Sequence, residues 1–523
     1  MNPAHAAATA FAALLMLVVP TSRAAGTDAP KLYAEHCASC HGPERLGGTG
    51  PALLPENLGR LTREQAQGVI RDGRSQTQMA PFHDKLSDDQ IRGLVDLIYT
   101  PPAQEPRWGE AEIRASQVIQ NKPGSLGDKP VFKADPLNLF VVVETGDHHA
   151  TILDGDKFEP IFRFPTRFAL HGGPKFSPDG RFVYFGSRDG WVSKFDIYNL
   201  KYVAEIRAGI NMRNIAVSSD GRYVVAGNYL PHTLVVLDAR DLSLLKIIPV
   251  VGDDGKSSRV SAVYDAAPRQ SFIAALKDIP EVWEIPYSDK PEPIYHGLVH
   301  DYRMAEALAE KGPFPVRRIN LDDYLDDFFF DQSYEHLIGA ARNGKNGQVV
   351  NLIVGRKIAD VDLPGLPHLG SGITWDWHGT PVLATPNLKE GMVTVIDMKH
   401  WKTIKHIKTL GPGFFLRSHE NTPYAWVDSS FSRDPDARDA IQIIDKEKLE
   451  IVKTLRPEPG HIAQHIEFTR DGKYALVSIP EMDGALVVYD AATFKVVKRI
   501  PMKRPLGKYN VYNKITRSEG TSH

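Results

Sequence analysis

Hydrophobic positions fall into three regimes along the 523 residues. Ala6 to Pro20 is an almost unbroken apolar run, followed by Thr21-Ser22-Arg23-Ala24. The stretches Pro30 to Cys40, Thr62 to Asp72 and Ser87 to Tyr99 read as helices. The last is opened by Ser87 as cap, with Asp88 and Asp89 in the first turn. Beyond Lys133 the pattern changes to short apolar strands punctuated by Asp-Gly, a hairpin signal.

That third regime repeats. Phe176-Ser-Pro-Asp-Gly-Arg-Phe-Val-Tyr-Phe-Gly recurs as Val217-Ser-Ser-Asp-Gly-Arg-Tyr-Val-Val-Ala-Gly and again as Phe468-Thr-Arg-Asp-Gly-Lys-Tyr-Ala-Leu-Val-Ser. Each copy is followed by an apolar strand ending in Asp: Val192 to Asp196, Leu234 to Asp238 and Leu486 to Asp490. Val393 to Asp397 and Ile441 to Asp445 end alike. Units starting near Lys133, Phe176, Val217, Ala262, Asp323, Thr374, His419 and Phe468 have a period of about 40 to 60 residues, that of a four-stranded propeller blade. The fold expected is an all-β eight-bladed propeller over residues 126–523 behind a small all-α domain over 25–99. Six or seven blades is the alternative if Ala262 to His300 and Asp323 to Leu363 merge with neighbours. Thr100 to Gly109 is rich in proline, so 100–125 reads as a linker.

The apolar run at the start is short, and small residues occupy positions −3 and −1 before a break after Ala24. This is the layout of a secretory signal over 1–24, although its first residues lack Lys and Arg. It is shorter than the ~20 residues of a spanning helix, and no later stretch is apolar enough to span. The expectation is a soluble periplasmic protein with no membrane span in the mature chain. The net charge of −2, with both signs mixed along the chain, gives no argument for nucleic acid as a partner.

Cys37 and Cys40 are the only cysteines. Two thiols three apart do not make a disulfide framework. With His41 they form Cys-x-x-Cys-His, whose spacing lets two thiols on one helical turn bond both vinyl groups of one porphyrin while the next imidazole reaches the iron. One covalent haem c is therefore expected, with electron transfer as its task; a redox Cys-x-x-Cys with an incidental His is the alternative. Met79 lies 38 residues after His41, in Gln78-Met79-Ala80-Pro81-Phe82, and is the candidate sixth ligand, with His83 as rival.

A second tetrapyrrole would have to be held without cysteine. His171 lies in a Gly-flanked segment, His368 in Leu366-Pro-His368-Leu-Gly-Ser-Gly, His419 after Arg417, and His465 in Gly460-His461-Ile-Ala-Gln-His465. Taken together, the haem c motif, the Pro-rich linker and the eight repeats resemble the cytochrome cd1 group over nearly all of the mature chain. Phe168-Ala-Leu-His171 resembles its proximal haem d1 segment, and Pro367-His368-Leu-Gly-Ser-Gly a distal histidine loop. Leu416-Arg-Ser-His419 before Tyr424-Ala-Trp-Val-Asp resembles a second distal histidine segment. Gly507-Lys-Tyr509-Asn-Val-Tyr-Asn resembles a C-terminal segment that carries Phe in the nitrite reductases.

The resemblance implies haem d1 chemistry of one of two kinds: reduction of nitrite to nitric oxide, or oxidation of a propionate of dihydro-haem d1 to acrylate, the last step in making haem d1. Tyr509 and His465 add protic groups where the nitrite reductases have none. Forming a double bond from CH2–CH2 releases two protons and two electrons, so the second reaction is expected. In that reading the chain is an oxidoreductase that takes dihydro-haem d1 as substrate and gives haem d1 as product. His465 and Tyr509 handle protons, His171 and His368 flank the tetrapyrrole iron, Arg213 and Arg259 pair with its carboxylates, and His419 lies beside it. Electrons pass to haem c and an external acceptor, and the product goes to a nitrite reductase as partner. Nitrite reduction and non-catalytic carriage of haem d1 are the alternatives.

Overall fold

The computed structural model describes residues 28–48, 50–59, 61–73, 79–294, 310, 312–340 and 346–517. The signal read over 1–24 lies outside them. Among the described residues no helix is long and apolar enough to cross a membrane.

The repeats form eight separate antiparallel sheets, and in six of them the strands are ordered wholly as in the chain. First strands of neighbouring sheets touch one another: Lys175–Phe176 with Asn211–Val217, Asn211–Val217 with Val260–Ala266, and Gln464–Phe468 with Pro505–Asn510. First strands therefore line a central channel, and the sheets are the blades of an eight-bladed propeller. The last strand, Pro505–Asn510, pairs with Leu139–Glu144 and becomes the innermost strand of the first blade, so the ring closes by joining both ends of the chain.

The repeat was visible because each hairpin carries its own hydrogen bonds. The hydroxyls of Ser177, Ser218 and Thr469 donate to Asp179, Asp220 and Asp471, and the following glycines Gly180, Gly221 and Gly472 turn at φ of 73°, 72° and 72°. Alternating strand residues then bury between adjacent blades. Val225, Leu234 and Val236 of the third pack against Val263, Phe272 and Trp283 of the fourth, all but excluded from water.

This topology gives the channel two ends. The chain enters each first strand at one end, called the mouth here. The hairpins joining first and second strands lie at the other, the floor. The helix Val511–Thr516 follows Asn510 on the floor side. Val511 fills the space beside Gly180, Arg470 lies 4.9 Å over the Tyr512 ring, and Arg517 bonds Asp265 and Tyr334. These partners come from four blades, so the C-terminal segment closes the floor.

The N-terminal domain packs Tyr33, Leu58, Ile70, Leu86, Ile91, Leu94 and Ile98 into one core. Two of its helices, Arg63–Asp72 and Asp88–Tyr99, start with capping boxes, Thr62 with Gln65 and Ser87 with Gln90. The single helix expected over Pro30 to Cys40 is instead two, Ala29–His36 and Ala38–His41, broken at Cys37. The stretch read as linker is partly structured. Glu110–Ala115 is a helix and Val118–Ile119 pairs with Lys201–Arg207 as a fifth, outermost strand of the second blade. Their pairing partners lie some 85 residues away, so the local pattern of Pro and Gly could not reveal them.

The two domains share an apolar contact. Ala52 and Leu54 join Ile210 and Leu230 in one buried cluster on the mouth side of the third blade. Arg207 stacks on Trp108 at 4.6 Å and donates to the carbonyl of Leu46. Full burial of Leu54 alone is worth about 1.5–3 kcal/mol.

Candidate active site at the channel mouth

The haem c motif has the donor set such a group requires. Cys37 and Cys40 are not joined in a disulfide. His41 is buried, and its Nδ1 donates to the Pro51 carbonyl at 2.8 Å, which leaves Nε2 as the lone-pair nitrogen for iron. A Cβ on Gly50 would stand 2.8 Å from this ring, so glycine is needed there. Burial pushes the Cys37 thiol up to about 11, opposite to the low value of a redox nucleophile. Met79 packs against the domain core, whereas His83 faces the Arg71 carbonyl and Asp84 with half its side chain exposed. The residues Cys37, Cys40 and His41 therefore fit a covalent haem.

At the mouth, the strands bring together residues from all around the ring. His171 precedes the second blade and His368 the sixth, four blades apart in a ring of eight, so the two face each other across the channel. His171 Nδ1 donates to the Arg213 carbonyl at 2.7 Å, and Nε2 accepts from Arg188 at 3.1 Å and Arg213 at 3.2 Å. His368 Nδ1 donates to the Phe414 carbonyl at 2.7 Å and its ring packs 4.1 Å from Phe414. Burial keeps His368 neutral and leaves its Nε2 lone pair suited to a metal, whereas that of His171 is taken by the two guanidiniums, which a metal at this nitrogen has to displace.

A cationic rim surrounds this pair. Arg188, Arg259 and Lys277 lie 5.3, 5.5 and 5.5 Å from the Tyr229 ring. Burial opposes ionisation of Tyr229, but the charges of Arg213, Lys277 and Arg188 outweigh it and pull the phenol below its ordinary value. Arg259 is also held by Asp278 at 2.6 and 2.8 Å, and Arg213 Nε by the Ser261 carbonyl at 2.7 Å. Fixed guanidiniums of this kind match a ligand with several carboxylates. Arg188, Tyr229 and Lys277 escaped the sequence reading. Each lies at or just past the end of a second strand, which returns to the mouth. That signal becomes usable only once strand directions are known.

His465 and Tyr509 meet from the eighth and first blades, rings 5.0 Å apart and edge to face. Tyr509 lies against backbone at two points where a Cβ would collide with it, Gly173 and Gly507. Burial pushes its phenol up to about 12. His465 is unlike any other propeller histidine among the described residues. It is fully buried between Tyr509 and Phe415, sits in a bulge at φ 49°, and neither ring nitrogen has a hydrogen-bond partner among the described residues. Burial, followed by the charges of Lys508, Arg417 and Lys514, holds it well below the usual range and therefore neutral. Lys508 is buried beneath it and donates to its carbonyl and to Ser478.

His419 is a correction to the sequence reading. It follows the first strand Leu416–Arg417 instead of preceding it, and so lies on the floor side. Its Nε2 meets the Arg470 carbonyl at 3.1 Å and its Nδ1 accepts from the Asn421 amide at 3.1 Å. Both nitrogens are used in joining two hairpins, and the ring does not reach the mouth.

The Cytochrome D1 heme domain model matches residues 134–300 and 299–514, and the model for Cytochrome C oxidase, cbb3-type, subunit III matches 24–98. The chain is 54 % identical over 511 residues to dihydro-heme d1 dehydrogenase of Pseudomonas aeruginosa, covering 98 % of this chain and 99 % of that one. It is 24 % identical to nitrite reductase of Stutzerimonas stutzeri over 96 % and 95 % of the two chains. A solved structure of dihydro-heme d1 dehydrogenase NirN in complex with DHE superposes with a TM-score of 0.86 at 54 % identity, covering 93 % of this chain and 99 % of that one. A haem c motif, a propeller mouth with paired histidines inside a cationic rim, and similarity over nearly the whole length lead to one statement: the chain belongs to the dihydro-haem d1 dehydrogenase family.

Proposed function

We propose that this protein oxidises a propionate side chain of dihydro-haem d1 to an acrylate, releasing two protons and two electrons. The observation that carries the reading is His465, a strained, neutral imidazole held against Tyr509 with neither ring nitrogen partnered among the described residues. Native structures keep such buried, unsatisfied and strained residues mainly where function requires them.

In this reading His171 and His368 bind the tetrapyrrole iron from opposite sides, and Arg213, Arg259 and Arg188 hold its carboxylates. Tyr509, which opens to the channel, contacts the reacting side chain. His465 behind it orients the phenol and offers a neutral nitrogen as proton acceptor. A haem on Cys37, Cys40, His41 and Met79 supplies a one-electron acceptor. The apolar contact of Ala52 and Leu54 with Ile210 and Leu230 keeps that domain beside the mouth. The floor position of His419 removes the one residue that spoke for nitrite reduction.

We place the mature protein in the periplasm, with an external acceptor that reoxidises haem c and a nitrite reductase that receives the product. Anaerobic incubation with dihydro-haem d1 tests the activity. The expected result is loss of two hydrogens from the tetrapyrrole by mass spectrometry, with reduction of haem c. An unchanged mass, with nitric oxide released when haem d1, nitrite and a donor are supplied, reassigns the chain to nitrite reduction.

A further inference from the structure

The channel below Tyr509 holds charge that the steps above do not use. Lys514 lies on the floor helix Val511–Thr516, with its amine 5.7 Å from the Tyr509 ring centre. The groups facing it come from every neighbouring inner strand: Arg417 from the seventh blade, Glu467 from the eighth and Lys175 from the second, with His465 also within reach of its charge. Burial, with Arg417 and Lys175 against Glu467, brings Lys514 down to about 7. It therefore exchanges a proton near neutral pH. Of its neighbours, Arg417 stays charged and Lys175 lies higher at about 8. On the far side of Lys514, Thr516 and Arg517 are exposed at the floor.

We propose that Lys514 is a positioning residue for the dehydrogenation: its amine takes over from the Tyr509–His465 pair each proton leaving the substrate side chain and returns it to water at the floor. Tetrapyrrole and protons then use opposite ends of one channel. The inference rests on the dehydrogenase reading. Each turnover breaks one C–H bond on each of two adjacent carbons and makes their single bond double. Two electrons go, one at a time, to haem c and its external acceptor. The two protons leave in turn, and Lys514 passes from amine to ammonium and back for each, ending unchanged.

The test uses the full-length, haem-loaded protein and two variants, Lys514→Met and Lys514→Arg. Haem c reduction is followed after anaerobic mixing with dihydro-haem d1, from about pH 5.5 to about pH 9. In the parent protein the rate rises through about pH 7 as Lys514 loses its proton. Both variants are expected to lose that inflection and to be about tenfold slower at neutral pH, with the binding spectrum of the tetrapyrrole unchanged. Arginine keeps the charge and bulk but cannot give up its proton, so full rate in Lys514→Arg assigns a structural role and overturns the proposal. A retained inflection in either variant does the same. If the parent protein forms no acrylate product, the dehydrogenase reading itself fails and takes the inference with it.

Thermal unfolding gives a second readout that needs no substrate. A lysine at about 7 when folded and 10.5 when unfolded binds fewer protons in the folded state between those values, so folding stability rises with pH across that window. Lys514→Met is expected to raise the melting temperature most at and below pH 7 and to converge on the parent near pH 10. A difference independent of pH shows that Lys514 is an ordinary charged lysine and overturns the proposal.

Discussion

The mouth and the floor of the channel each bury a histidine completely, and the two could hardly be used more differently. His419 on the floor has both ring nitrogens hydrogen-bonded to backbone of adjoining hairpins. His465 on the mouth side has neither bonded and holds a positive φ. Burial and residue type are the same, so neither distinguishes a site from a joint. The unsatisfied nitrogens do, because leaving a buried polar group unpaired costs about 1–3 kcal/mol that a purely structural residue has no reason to bear.

The largest effect is expected in neither region but in the motif that feeds both. His41→Ala, or Cys37→Ala with Cys40→Ala, should abolish turnover; the haem absorption spectrum and the mass of the denatured chain report loss of the ligated or covalent group. Next, His465→Ala and Tyr509→Phe should each lower turnover by about 10²–10⁴-fold while tetrapyrrole binding persists. An unchanged rate in either would make the mouth histidine as structural as its floor counterpart. Arg259→Ala should weaken tetrapyrrole binding by about 1.5–3 kcal/mol, the worth of a hydrogen bond to a charged group, reduced by its partial exposure and by added salt. Titration of the bound spectrum at two ionic strengths checks this.

The smallest functional effect belongs to the floor. His419→Ala should cost stability, about 1–3 kcal/mol by denaturant unfolding, and leave binding and turnover intact. Burial holds both histidines below their ordinary value, His465 much the further. His465 in the folded chain lies well below the usual 6.5, so the unfolded chain binds its proton first. Its contribution is fully present above that value and is lost as pH falls. His465→Leu should therefore flatten the loss of stability below about pH 6.5, as read from melting temperature against pH.

Much of the architecture was legible because its determinants are local. Cys37, Cys40 and His41 must share one helical turn, and the Ser/Thr-x-Asp-Gly hairpins carry their own hydrogen bonds, so both appear as short strings. His171 and His368 could be singled out by their glycine-flanked loops, but not their pairing. That depends on four intervening blades placing them on opposite sides of the ring. His419 went astray for a related reason: its segment was matched, but two residues of strand lie between it and the mouth, and the direction of that strand is not written in the string. Glu110–Ala115 and Val118–Ile119 looked like linker because what orders them is the distant edge of the second blade.

What the amino-acid order settled is therefore short-range: a haem c motif, a repeating hairpin, and the supply of histidines and arginines. Only the closed ring decided which of them meet. Closure carries Tyr509 from near the C-terminus into the first blade beside His465 of the eighth, lays the C-terminal helix across the floor with Lys514 beneath them, and leaves His419 among the joints. The physical reason is that a propeller brings inner strands from the whole chain to a common axis, where burial and neighbouring charge, rather than position in sequence, set what each side chain can do.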